Sequence, residues 1–199
     1  MRASIASGVL AVGILLCTLV VADEKVVSTS IAPDFAALDD KAASDAANKL
    51  IADRRTLEQN LTTQLDAVKT PDNRKVLLIY TLGKLRSRWA VASLIKVIDF
   101  KAPFMDPKFD VARWGSHPAV DALAGIGDPA VIGIVDTLST EKDDARVRLM
   151  VMVIYRVEGA KPGQARLETA LAKAHDDTAK QNLQNALSAY RELAVKFDK

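Results

Sequence analysis

The strongest constraint on this chain is a pattern of residues that occurs twice, about 40 residues apart. The apolar positions of its two copies share one spacing, so that Val91, Leu94, Ile95 and Ile98 align with Val131, Ile134, Val135 and Leu138. Self-similarity at this period is typical of helical solenoids, in which each helix pair buries its apolar face by stacking on the next pair. Alternation of apolar and polar residues is absent, so no strand is expected. The sequence therefore predicts an all-α fold, an α-solenoid of stacked helical hairpins.

Residues 70–199 form the predicted repeat domain, with about three helix pairs and a closing helix. Helix starts are expected where capping residues stand beside proline or a second acidic residue: at Thr70-Pro71, Ser116-His117-Pro118, Asp128-Pro129, Asp143-Asp144 and Asp176-Asp177. In the first pair, the second helix is predicted over residues 89–100. In the third pair, residues 158–163 are predicted to be a loop.

The first 22 residues have the pattern of a secretory signal peptide. Arg2 is their only charged side chain, residues 5–21 are apolar or small, and Ala22 offers a small residue just before Asp23. The alternative is an uncleaved anchor, because an apolar run of about 17 residues is at the short limit for spanning a bilayer. We expect cleavage after Ala22 and a secreted or periplasmic protein, with membrane contact only if the segment is retained.

Two further segments precede the repeats. Residues 23–33 are polar and mixed, and are predicted to be a flexible leader. Residues 34–69 lack glycine and proline and carry apolar residues near helical spacing, more sparsely than the repeats do. A polar helical segment at this position is expected to be an N-terminal cap, because the outer face of the first repeat meets water.

Cysteine and charge exclude several classes of function. The only cysteine, Cys17, lies in the signal segment, so the cleaved chain has no disulfide, no catalytic thiol and no cysteine metal ligand. The full chain has 27 Lys and Arg against 25 Asp and Glu, and no basic block. We therefore expect no nucleic-acid partner, because its binding requires clustered positive charge.

The segment between residues 99 and 116 is longer than the other connections and is unusually aromatic. Four of the ten Phe, Tyr and Trp residues of the chain lie in it. Long connections in compact domains are often functional, and aromatic residues and arginine are enriched at interfaces. One interpretation is a structural lid, and the other is a partner-binding loop. The candidate partner-binding residues are Phe100, Phe104, Met105, Phe109, Arg113 and Trp114.

Other polar residues are expected to be structural. His117 and His175 stand at predicted helix ends without a second ligand at metal spacing, so we predict no metal site and no cofactor. Ser116 beside His117 is a poor nucleophile pair, because adjacent residues rarely form the needed hydrogen bond. A modest positive set near helix ends is either a solvated surface or a face for an acidic partner: Arg74, Lys75, Lys84, Arg86, Arg88, Arg146 and Arg148.

Three strings of residues resemble HEAT repeats, closest to the short bacterial type related to phycobilisome-lyase repeats. They are Leu82-Gly83-Lys84-Leu85 with the following 90–95, the string 125–131, and Arg146-Val147-Arg148. The third copy departs from the pattern, because Val153-Ile154 replaces the Leu-Gly pair. The resemblance implies a helical-hairpin fold over roughly residues 70–175. It implies no activity, because no residue here matches a chromophore-handling role.

These observations lead to two hypotheses of different classes. The first is an exported, non-catalytic scaffold on which a protein partner docks, with the aromatic loop as the main contact. The second is a carrier of a small or lipid-like ligand, in which the loop covers an apolar pocket. A closed cavity under the loop would favour the carrier, whereas an open, grooved surface would favour the scaffold. An enzyme is the weakest interpretation.

Overall fold

The structure, a computed structural model, describes residues 40–102 and 115–197. The chain divides into two units, Met1–Ala46 and Ala47–Lys199, and of the first unit only residues 40–46 are described. The predicted signal segment and leader, residues 1–33, lie outside the described part. All the secondary structure of the described residues is helical, which confirms the all-α fold class.

Eight α-helices follow one another along the described residues. Their bounds are α1 Asp40–Asp66, α2 Asp72–Lys84, α3 Val91–Lys96, α4 Pro118–Ile126, α5 Asp128–Leu138, α6 Asp144–Glu158, α7 Ala160–Lys173 and α8 Asp177–Phe197. The 3-10 turn Arg88–Ala90 leads directly into α3. Most helices therefore begin and end within a few residues of the predicted positions.

Within the second unit, each even-numbered helix packs against the next even-numbered helix along the chain. Helix α2 packs against α4, α4 against α6, and α6 against α8, while α3 packs against both α4 and α5. Helix α7 packs against α6 and α8. One cluster of buried aliphatic side chains runs through these contacts, and Tyr190 of α8 is fully buried within it.

The aligned positions of the two sequence copies face this core. In the first copy Val91 and Ile95 are 7% and 5% exposed, and Leu94 and Ile98 are fully buried. In the second copy Val131, Ile134 and Leu138 are fully buried, and Val135 packs partly buried against the core. The repeated spacing therefore predicted correctly which side chains point inward.

Two of the predicted helix caps are present. Asp143 precedes α6, and its Oδ1 accepts hydrogen bonds from the amides of Ala145 and Arg146 at 2.8 and 3.1 Å. Asp176 accepts one from the amide of Ala179 at 2.8 Å at the start of α8. Both carboxylates satisfy amides that have no partner inside the helix.

Two other predicted caps are wrong. Thr70 donates its hydroxyl back to the carbonyl of Gln64 at 2.6 Å, and Pro71, which has no capping side chain, stands at the cap position of α2. Asp128 is the first residue of α5 rather than its cap, and its Oδ1 accepts a hydrogen bond from Arg166 Nη2 at 2.8 Å. Gly127 stands at the cap position instead, with φ at 85°.

Two predicted boundaries are also wrong. The expected loop 158–163 shrinks to Gly159, whose φ of 75° turns the chain so that α7 begins at the next residue. Positive φ is readily available to glycine, so one residue suffices. The helix predicted over 89–100 is shorter, because its α-helical part ends at Lys96.

Arg146 of α6 explains where α3 ends. Its guanidinium donates to the carbonyls of Ile95 and Lys96 at 3.0 and 3.2 Å, and so satisfies groups left free at a helix C-terminus. It also contacts Asp99 at 2.7 Å and Glu141 at 2.8 Å. This arginine therefore ties the start of α6 to the end of α3.

Within the described part of the chain, no single helix has the length and apolar composition to span a membrane. Helices α4 and α5 meet that test only as a pair, and they are bent by 119° at their junction.

Candidate functional site

Of the six predicted partner-binding residues, only Phe100 is described. It is half-buried and packs against the core, with Lys75 Nζ at 5.7 Å from its ring centroid. This ring therefore contributes to the packing of the core. The other five lie outside the described residues and remain a prediction: Phe104, Met105, Phe109, Arg113 and Trp114.

A different aromatic side chain is exposed in the described part of the chain. Trp89, in the 3-10 turn before α3, has 49% of its surface exposed. The guanidinium carbons of Arg55 and Arg88 each lie 5.0 Å from the centroid of its ring. Each such contact contributes about 0.5–1 kcal/mol at an exposed site, so the two arginines help to hold the indole in place.

Hydrogen bonds from α1 hold the connection between α2 and α3. Glu58 of α1 is buried, and its carboxylate accepts from Arg54 Nε at 2.6 Å and from Ser87 Oγ at 2.8 Å. Arg54 also donates to the carbonyl of Leu85. A buried carboxylate is tolerated because both of its oxygens have partners. Helix α1 therefore holds the chain at Leu85 and Ser87, just before the turn that carries Trp89.

A groove of about 280 Å³ lies beside the indole. Arg54 is paired with Glu58, whereas three further arginines at the groove have no ion pair with any described residue: Arg55, Arg86 and Arg88. We call these three arginines and Trp89 the Arg-Trp surface. It combines a half-exposed indole with about three positive charges that have no ion pair among the described residues, and Trp and Arg are both enriched at protein interfaces.

The structure separates other members of the predicted positive set from this surface. Arg146 belongs to the network that joins α6 to α3, and Lys75 contacts Asp72 at 3.7 Å. Burial acts to raise the pKa of Glu141, but its hydrogen bonds with Arg146 and with the amides of Asp143 and Lys142 lower that pKa overall. The Arg146 site is thus occupied by internal partners.

A larger groove of about 550 Å³ lies between α5, α7 and α8. Apolar residues line much of it, including Ile132, Val135 and Leu183. Arg166 at its edge is already held by Glu158 at 2.5 Å and by Asp128 at 2.8 Å. The hydrogen bond to Glu158 is the main cause that raises the pKa of Arg166. This groove therefore offers apolar contact and less free charge than the Arg-Trp surface.

The adjacent Ser116 and His117 do form the hydrogen bond that we expected to be rare, with Ser116 Oγ at 3.0 Å from His117 Nδ1. The pair is exposed. The nearby Asp121 does not orient the imidazole, because its two oxygens bind Arg156 at 2.6 Å and the amide of Gly115 at 2.9 Å. Among the described residues, Ser116 and His117 are thus in contact without a carboxylate that orients the imidazole.

His175 lines the apolar groove just after the end of α7, two residues beyond Lys173. Among the described residues, no three His, Cys, Asp or Glu side chains come together as metal ligands. The acidic pairs Asp143-Asp144 and Asp176-Asp177 stand at helix starts, where Asp143 and Asp176 act as caps.

Sequence reasoning missed the Arg-Trp surface as a site. Arg86 and Arg88 were in the positive set, but Trp89 was placed at the start of a helix, and Arg55 was not singled out. The only signal was the predicted turn Arg86-Ser87-Arg88, in which the two arginines are exposed and Ser87 is buried. Arg55 lies about 30 residues earlier, so the contact depends on how α1 packs on the turn.

Comparisons with known proteins gave no match: no family model matches the chain, and neither the curated proteins nor the solved structures contain a match to it. The resemblance to HEAT repeats stays a prediction that depends on the residues quoted above.

Proposed function

We propose that the chain is an exported, non-catalytic scaffold built as an α-solenoid of HEAT-like helix pairs. The pairs are α2 with α3, α4 with α5, and α6 with α7, and α8 closes the series. The neighbour relations α2–α4–α6 and α3–α5 support this arrangement, because a solenoid stacks equivalent helices side by side. The burial of the aligned positions supports it further.

The partner that this scaffold receives is an acidic protein segment, and it docks on the Arg-Trp surface. The observation that carries the proposal is the half-exposed Trp89 between two arginines that have no carboxylate partner among the described residues. Trp and Arg are the residues most enriched among those that dominate binding energy. Carboxylates of a partner would pair with the free guanidinium groups, and an apolar side chain would pack on the indole.

A defined peptide tests the docking proposal. The probe is a fluorescent peptide in which glutamates surround one phenylalanine, and the control peptide has glutamine at each glutamate. We expect the protein to bind the acidic peptide more tightly in fluorescence anisotropy, and Trp89→Ala to weaken binding by about 30-fold, the equivalent of about 2 kcal/mol. Arg88→Gln should weaken binding less and reduce its dependence on salt.

The matched control is Phe197→Ala, which removes an exposed aromatic ring at the end of α8. This variant should bind the peptide as the wild type does. Thermal melts of all variants verify that they are folded. Equal affinity of the wild type and Trp89→Ala for the acidic peptide would contradict docking at this surface.

Export remains a separate part of the proposal, supported by the charge-free run after Arg2. N-terminal sequencing of the mature protein should give Asp23 as the first residue. Recovery of the intact Met1 terminus in the membrane fraction would favour the anchor. The predicted contacts of the loop, Phe104 to Trp114, are an additional binding region of the same scaffold.

The carrier is the second candidate, with its ligand in the open groove between α5, α7 and α8 rather than in a closed cavity under the aromatic loop. The volume of this groove, about 550 Å³, is within the range of small-molecule sites, and much of its lining is apolar. The test is the binding of a hydrophobic dye to the wild type. A lower affinity for the dye in Val135→Asn, with an unchanged affinity in Trp89→Ala, would support this function.

A further inference from the structure

A second positively charged pocket lies beside the Arg-Trp surface and shares Arg86 with it. It has a volume of about 630 Å³ and lies where α2, α4 and α6 approach their C-terminal ends. Three small residues line it, Gly83, Ala124 and Gly125, so the larger side chains that reach it are charged. We call it the C-terminal pocket.

The charges of this pocket do not balance. Arg156 is paired with Asp121 at 2.6 Å, whereas Lys84 and Arg86 form no ion pair with any described residue. Lys84 Nζ lies 5.3 Å from the centroid of the Tyr80 ring, which leaves its charge without a carboxylate partner among the described residues. Each helix C-terminus contributes about half a negative charge, so the three helix ends offset part of the two positive charges. The pocket remains weakly positive and rich in hydrogen-bond donors, which favours a ligand with one or two anionic groups.

The backbone at Arg86 points to a role for its side chain. Arg86 has φ at 50°, and it is the only residue other than glycine with positive φ in the described part of the chain. It closes α2 with a hydrogen bond from its amide to the carbonyl of Gly83, and Ser87 bonds the carbonyl of Leu82. Glycine usually occupies this position at a helix end, because other residues are strained there. Strained residues cluster at functional sites.

We propose that the C-terminal pocket binds a small organic anion through a phosphate or carboxylate group held by Lys84 and Arg86. The planar guanidinium offers paired donors to such oxygens, and the ammonium adds a point charge. A pocket of this volume accommodates more than the anionic group alone, so the rest of the molecule lies over the small residues. The proposal goes beyond the docking of an acidic partner and does not depend on it.

Calorimetric titration with inorganic phosphate and, separately, with citrate tests this site at constant ionic strength. We expect at least one of the two anions to bind with a dissociation constant in the millimolar range. Lys84→Gln and Arg86→Ala should each weaken binding by about fivefold or more, and the double variant should show no binding. Tighter binding of phosphate would assign a phosphorylated ligand, and tighter binding of citrate a carboxylic acid.

Two control variants separate the site from its surroundings. Arg148→Gln removes an exposed charge that does not line the pocket, and Trp89→Ala removes the anchor of the docking surface; both should bind the anion as the wild type does. Lys84 lines the C-terminal pocket and not the groove beside Trp89, so its variant reports on this proposal alone. Equal affinity of the wild type and the Lys84→Gln, Arg86→Ala double variant, or no binding of either anion up to about 50 mM, would overturn it.

Discussion

Arg146 and Arg86 belong to the same predicted positive set, yet they have opposite environments in the folded chain. Arg146 is mostly buried and contacts two carboxylates and two backbone carbonyls. Arg86 is exposed, has no ion pair with any described residue, and occupies a strained backbone conformation. One arginine thus contributes to stability, and the other leaves its donors available to a ligand. Residue type alone does not distinguish them.

One packed helical core supports both arginines, and Val131→Asp tests whether that core has the expected packing. Val131 is fully buried in the centre of α5. An unpaired charge at this position costs several kcal/mol, which is most of the stability of a small domain. We expect the variant to be unfolded at 25 °C by circular dichroism. A melting temperature within a few degrees of the wild type would mean that the repeat register is wrong.

The comparison predicts a large loss of stability at Arg146. Arg146→Ala leaves the Glu141 carboxylate, which is mostly buried, without its main partner, and removes the donors to the end of α3. We expect a loss of about 2–3 kcal/mol and a melting temperature lower by about 5–10 °C.

Arg148→Ala, two residues along the same helix, is the matched control for that loss. Arg148 is exposed and has no ion pair with a described residue, so its removal should change stability by less than about 0.5 kcal/mol. Equal melting temperatures for Arg146→Ala and Arg148→Ala would mean that the Arg146 network does not stabilise the fold.

The same network predicts a dependence of stability on pH. The pKa of Glu141 is lowered in the folded chain, so its ionised form stabilises the fold at pH values above the ordinary carboxyl pKa. That contribution is lost as the pH falls through the folded-state value. Glu141→Gln should therefore cost about 1–2 kcal/mol at pH 7 and much less at pH 3. Denaturant titrations at both values measure the difference, and an equal cost at both would contradict it.

The buried positions and the helix caps illustrate what the sequence could predict. The inward positions were readable, because aliphatic spacing alone determines which face of a helix is buried, as at Leu94 and Ile134. The cap at Asp143 was readable because its partners are two and three residues away. Asp128 was read as a cap by the same rule, but its carboxylate is used by Arg166, 38 residues later.

The candidate site was less predictable, because it depends on contacts between distant segments. Arg55 reaches Trp89 only after α1 packs on the turn, and Lys84 meets Arg156 only after α2, α4 and α6 align. No local sequence pattern predicts contacts between residues so far apart in the chain. The aromatic loop was a local signal, and of its predicted contacts only Phe100 lies in the described part, where it packs on the core.

The smallest expected effect separates the strain at Arg86 from its charge. Arg86→Gly and Arg86→Ala both remove the guanidinium, but only glycine relieves the positive φ of 50°. The left-handed conformation costs other residues about 1–2 kcal/mol, and glycine gives back about half of this through the greater freedom of the unfolded chain. We therefore expect Arg86→Gly to be more stable than Arg86→Ala by about 0.5–1 kcal/mol, a difference of about 1–4 °C in melting temperature. Both variants should weaken anion binding equally. A glycine variant no more stable than the alanine variant would mean that the turn is not strained, and the argument for a function at Arg86 would then depend on its charge alone.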